Sequence, residues 1–92
     1  TSERVIHAPA AGYIYDVRKI GDIVQKGDEI ARIYPDKGSY DNKLSEYVPV
    51  NATITGIIRG LIREGYYFRK GFKIADIDPR ERRGAFKLFY DL

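Results

Sequence analysis

The chain has 92 residues, a net charge of +3 and no cysteine. That length suits one domain, and the missing cysteines exclude a disulfide framework, a thiolate nucleophile and a cysteine-based zinc site. No apolar run approaches the ~20 residues of a membrane-spanning helix.

At the start, Thr1 opens a segment without the pattern of a secretory signal, and the chain contains no Met. These features read as a fragment of a longer protein or a processed product, and the expected location is the cytoplasm. The first elements are short strands. "APAAG" brings the chain to a turn at Gly12, and "IYDV", residues 14–17, is rich in β-formers. Gly21 and Gly27 then bracket "DIVQK", with Val24 pointing inward between them, and "IARI" follows. Glycine suits such turns because it reaches positive φ without steric cost. The next stretch, "YPDKGSYDNKLSEY" over 34–47, is polar and reads as a long exposed loop.

The chain then repeats itself. Offset by 44 residues, 5–33 falls on 49–77 with nine identities in 29 positions, among them Gly12/Gly56, Ile14/Ile58, Gly21/Gly65, Gly27/Gly71, Ile30/Ile74 and Ile33/Ile77. Two units are too few for a solenoid. They suit two half-motifs closing on each other around a pseudo-twofold axis, and two halves packed face to face make an all-β flattened barrel or sandwich. The Ile30/Ile33 and Ile74/Ile77 spacing of three would fit a helical turn, but the flanking turn residues favour strands. Pro35, Pro49 and Pro79 mark strand ends or connections. Residues 1–80 form the domain, with 34–48 linking the half-motifs. The tail, 81–92, opens on "ERRG" and ends "AFKLFYDL", which is too apolar for a free end and suits docking on the barrel, on a partner or on a second copy.

"APAAGYIYDVRKIGDIVQKGDEIARI" resembles the first half of a biotinyl or lipoyl domain, and "TGIIRGLIREGYYFRKGFKIADI" resembles the mirrored half. The fold this resemblance implies is the barrel-sandwich hybrid. The second half and its ending, Gly71-Phe72-Lys73-Ile74-Ala75-Asp76-Ile77-Asp78-Pro79-Arg80, are similar to the C-terminal region of the selenium-dependent molybdenum hydroxylase accessory protein family. In particular, Lys73, Asp76, Asp78, Pro79 and Arg80 match that family's ending. The resemblance implies a C-terminal domain behind a nucleotide-binding-like domain, in a protein that matures or supplies molybdenum enzymes. It carries over no catalytic residue and no cofactor, and implies a non-catalytic interaction domain whose partner is the rest of its chain or another protein.

Carrier domains modify a lysine at the tip of the hairpin joining the halves. Lys37, ten residues past Gly27 and preceded by Asp36, stands near that place, and lipoate or biotin would be its cofactor. Pro35 and Gly38 beside it, the lack of flanking Met and the long segment to Gly56 favour an ordinary solvated lysine. Other candidates have plainer readings. His7, the only histidine, aligns with Asn51 and suits a polar strand edge. Asp76 and Asp78 could offer oxygens to a divalent cation, but pairing with Lys73 or Arg80 is the simpler account. Residues 47–92 carry +4. Their interleaved Arg63, Tyr66, Tyr67, Arg69, Lys70, Phe72 and Lys73 would suit single-stranded nucleic acid, against which stands the acidic character of the matching turn, with Asp22, Asp28 and Glu29.

Overall fold

A computed structural model describes residues 4–43 and 46–79. Eight strands run in the order β1 (Val5–His7), β2 (Gly12–Asp16), β3 (Ile23–Val24), β4 (Glu29–Tyr34), β5 (Val48–Asn51), β6 (Gly56–Leu61), β7 (Tyr67–Phe68) and β8 (Lys73–Asp78). One helix, α1 (Lys37–Asn42), lies between β4 and β5. All strand pairs are antiparallel and form two four-stranded sheets, ordered β1-β8-β6-β3 and β5-β4-β2-β7. No helix among the described residues is long and apolar enough to cross a membrane.

The repeat governs this topology in a way face-to-face halves do not. Each sheet takes two strands from one half-motif and two from the other. The pairing β2–β4 has its counterpart in β6–β8, β1–β8 in β5–β4, and β3–β6 in β7–β2. The halves are therefore interleaved, and neither holds a complete sheet.

The core follows the same rule. It consists of Ile6, Ala8, Ile14, Val24, Ile30, Ala31 and Ile33 with their partners 44 residues on, Val50, Ala52, Ile58, Phe68, Ile74, Ala75 and Ile77. Burial of these side chains is the main source of stability, at about 1.5–3 kcal/mol for each large one. The spacing of three between Ile30 and Ile33 is a strand feature. Val17 and Arg18 both donate their amides to Ile30 O, at 3.0 and 3.1 Å, and the β4–β5 register shifts between Glu29 and Ala31. Such a bulge reverses the alternation of side chains, so residues three apart share the inner face.

The turns are tied across the halves. Gly27 N donates to Ala52 O and Gly71 N to Ala8 O, while Gly21 N donates to Ile58 O and Gly65 N to Ile14 O, each at 2.8 Å. These four glycines have φ between 90° and 99°. Gly12 and Gly56 serve a different purpose from the predicted turn. They begin β2 and β6 and lie against the carbonyls of Tyr34 and Asp78, where a side chain at either position would overlap that carbonyl. Pro35 and Pro79 follow β4 and β8, and Pro49 sits in the edge strand β5, where its missing N–H is tolerated.

The predicted exposed loop over 34–48 is corrected by the structure. Tyr34 ends β4 and is buried, as is Ser39 within α1. Asp36 caps the helix, its side chain accepting from Ser39 N at 2.8 Å, and Lys43 ends it in a left-handed conformation. Tyr40 on α1 packs against Tyr13 and Tyr34, with ring centroids 6.1 and 6.3 Å apart. The physical reason is that a capping side chain and three aromatic rings supply the order that composition alone does not show. Arg80 and the tail 81–92 lie outside the described residues.

Candidate functional site: a groove between the half-motifs

The sequence-derived candidates fall in separate places. Lys37 begins α1, exposed, with Nζ 3.5 Å from Asp41 four residues on. It occupies the connection between β4 and β5, yet on a helix rather than at a hairpin tip. His7 lies exposed at the end of β1, opposite Lys73. Asp78 is buried and paired with Arg4 at 3.2 Å and Arg59 at 3.8 Å. These arginines, rather than Lys73, are the described partners, because Lys73 stands at the opposite end of β8. Among the described residues no three His, Asp or Glu side chains gather to hold a metal. In the basic and aromatic stretch, Tyr66, Tyr67 and Phe72 are exposed while Phe68 is buried, with Phe72 stacked on it at 6.1 Å.

The structure also assembles a site that no motif announced. Asp16 ends β2, and Glu64 stands in the turn before β7, 48 residues away. Glu64 Oε1 accepts from Asp16 N at 3.1 Å, which holds the two carboxylates together. A groove of about 490 Å³ opens beside them, lined by Asp16, Val17, Arg18, Lys19, Ile20, Leu61 and Glu64. Burial pushes the Asp16 carboxyl up to about 6, and the neighbouring Glu64 charge adds to the rise. Its Oδ1 is buried and accepts no hydrogen bond among the described residues.

Tyr40 joins the site from α1. Its hydroxyl lies beside Gly65, and its pKa is raised by burial first, then by Glu64, Asp41, Asp16 and Tyr15. Lys43 Nζ sits over the Tyr40 and Tyr15 rings, 4.2 and 4.9 Å from their centroids, and donates to Tyr40 O at 2.8 Å. The supposed loop thus delivers a phenol to the neighbourhood of the two carboxylates and an ammonium over its ring. A carboxyl with a pKa near 6 changes charge close to neutrality, so Asp16 can take up or release a proton there.

Sequence reasoning missed Asp16 and Glu64 because neither belongs to a motif. The repeat held the available signal. Asp16 aligns with Gly60, and Glu64 with Ile20, so both carboxylates break the internal symmetry.

No protein-family model matches the chain. Over 86 residues it is 42% identical to the uncharacterized protein YqeB of Escherichia coli (strain K12), an alignment that covers 94% of this chain and 14% of that protein. The chain therefore spans about one-seventh of the length of this curated relative. Its structure is similar to that of an aspartoacylase family protein from Mesorhizobium loti, with a TM-score of 0.70, 19% identity and coverage of 84% of this chain and 23% of the other. It is also similar to the product-bound ectoine utilization protein EutE from Ruegeria pomeroyi, with a TM-score of 0.69, 21% identity and coverage of 84% and 22%. At such identities the likeness shows the fold: an all-β unit of two four-stranded antiparallel sheets that recurs as a minor part of larger chains.

Proposed function

We propose that this chain is a non-catalytic interaction domain of a longer protein that takes part in the maturation of molybdenum hydroxylases. The observation that carries the interaction role is its exposed apolar surface. All fourteen residues of the core cluster fall into repeat pairs, yet Ile20 is 61% exposed, and Tyr66, Tyr67 and Phe72 also face outward. Large apolar side chains outside the core suit contact with another protein. The assignment to molybdenum-enzyme maturation rests on the ending from Gly71 to Arg80. Kinship with biotinyl and lipoyl domains of the barrel-sandwich type is supported by the twofold-related strand pairing.

The test is deletion of this domain from the longer protein in its native host, followed by measurement of molybdenum in the purified hydroxylase. A fall in metal content supports the reading. Unchanged content, or catalytic turnover by the isolated chain, overturns it.

A second reading, a carrier modified at Lys37, is favoured by one observation. The lysine is exposed in the segment that joins the two halves. Intact mass of the native protein, with peptide mapping of 34–48, decides it. A lipoyl or biotinyl increment on Lys37 makes the chain a carrier, and an unmodified mass removes that reading. For the nucleic-acid alternative, salt-dependent binding of single-stranded oligonucleotides through Tyr66, Tyr67 and Arg69 is the corresponding requirement.

A further inference from the structure

We propose that the chain's own segment 85–91 folds back along β8 and docks in a second groove, across β6 and β8. Its apolar side chains cover Leu61, Ile62 and Phe72, with Lys87 beside Asp76 and Asp91 beside Lys73. This goes beyond the interaction-domain reading and does not depend on it.

The groove has a volume of about 340 Å³, and Leu61, Ile62, Phe72, Lys73 and Asp76 are among its lining residues. Leu61 and Ile62 are only partly buried against the core, and Phe72 is exposed. The repeat shows what this place needs for folding alone. Across the 44-residue offset Ile62 falls on Arg18, Phe72 on Asp28, Lys73 on Glu29 and Asp76 on Arg32. In the first half these side chains satisfy one another. Arg18 reaches Asp28 at 3.7 Å, and Arg32 donates to Glu29 through two hydrogen bonds of 3.0 and 3.1 Å. The second half replaces the Arg18–Asp28 pair with two apolar side chains. It keeps charges at the other two positions with their signs exchanged, yet Lys73 and Asp76 form no ion pair among the described residues. One backbone plan is thus closed by its own side chains in the first half, and left apolar with unpaired charges in the second. Apolar surface of this kind favours a covering segment.

Two features name the occupant. The first is reach. The chain leaves β8 after Asp78, and Phe86 follows eight residues later. Eight residues span about 26 Å when extended, whereas the return from Asp78 to Lys73 is about 17 Å along the strand. The second is the order of charge. A segment returning antiparallel to β8 meets Asp76 before Lys73. The charges in "AFKLFYDL" come in the complementary order, Lys87 and then Asp91, with Leu88, Phe89 and Tyr90 between them. Exposed ion pairs contribute little energy, so they set the direction of docking while apolar contact supplies its strength. Ile20, Tyr66 and Tyr67 are exposed and lie outside this groove, so they stay available to a partner.

The experiment is nuclear Overhauser spectroscopy of the intact, isotope-labelled 92-residue chain. Contacts are expected from Leu88, Phe89 and Tyr90 to Leu61, Ile62 and Phe72. They should persist on dilution by about tenfold, as an intramolecular contact requires. Asp76→Lys should lower the ratio of docked to free segment about two- to fivefold, the worth of an exposed ion pair. Adding Lys87→Asp should restore it, a rescue that mere loss of stability does not give. No contact between 85–91 and the groove, contacts elsewhere on the barrel, or a charge exchange that fails to rescue overturns the proposal. So do contacts that vanish on dilution, since the occupant would then belong to a second copy. The readout needs neither a partner nor a hydroxylase, so the interaction-domain reading stands or falls separately.

Discussion

The two half-motifs share a backbone plan but close their turns differently. In the first, Asp22 accepts from Lys19 N at 2.9 Å and Asp28 accepts from Gln25 N at 2.8 Å. In the second, Tyr66 and Phe72 occupy those positions and expose their rings. The backbone bonds across the turns persist in both, at 3.0 and 2.9 Å in the first half and 3.3 and 3.2 Å in the second. The main chain therefore makes these turns by itself. Carboxylates reinforce one pair, and the other pair leaves aromatic surface for contact. Symmetry marks what the fold demands, and asymmetry marks where other requirements act.

The sharpest way to break the comparison is at the glycines that touch a carbonyl. Gly12→Ala and Gly56→Ala each place a methyl onto backbone, 2.6 Å from Asp78 O in the second case. Both are expected to cost about 3 kcal/mol or more, since a strand end must move. Urea unfolding of the pair tests this, and tolerance of either substitution would show that the halves do not share the constraint. Next in size are Ile14→Ala and Ile58→Ala, repeat partners that are both fully buried. Each is expected to lose about 2–5 kcal/mol by cavity formation, and the two losses should agree within about 1 kcal/mol if the core is as symmetric as its residues. A large disparity in denaturation midpoints would show that one half dominates.

Smaller effects sharpen the turn comparison. Asp22→Ala and Asp28→Ala should each cost about 1 kcal/mol, the worth of a side-chain bond to a turn amide, as read by thermal unfolding. Tyr66→Ala removes no such bond and should change stability by less than about 0.5 kcal/mol. A pH-dependent effect is expected at Asp16. Its pKa is raised to about 6 in the folded chain from 3.8. The folded state therefore holds the proton more tightly, and this group's contribution to stability is lost as pH rises from about 4 through 6. Asp16→Asn should match the parent near pH 4 and exceed it by about 1 kcal/mol near pH 8, a figure reduced for the half-exposed position. A gain independent of pH would show that the carboxyl's ionisation is not involved.

Much of the scaffold was legible in the chain. The 44-residue offset already paired every member of the core cluster, from Ile6 with Val50 to Ile33 with Ile77. Gly21, Gly27, Gly65 and Gly71 stood at turns where positive φ occurs, whereas Gly56 has no positive φ. The helix was hidden because "DKGSYDN" has no apolar periodicity. Its order comes from the Asp36 cap and from Tyr40 meeting Tyr13 and Tyr34, contacts that exist only after β2 and β4 have paired. The interleaving of strands was hidden as well, since the repeat pattern is the same whether halves stack or exchange strands.

By itself, then, the sequence determined an all-β domain of two equivalent halves, because apolar spacing and glycine placement act locally and recur at a constant offset. Tertiary structure decided which strands of each half share a sheet, and it decided the meeting of Asp16 with Glu64. Those two carboxylates lie 48 residues apart. The partial burial of Asp16 and its raised pKa arise from the closure of one half-motif upon the other, a long-range effect that no local pattern encodes.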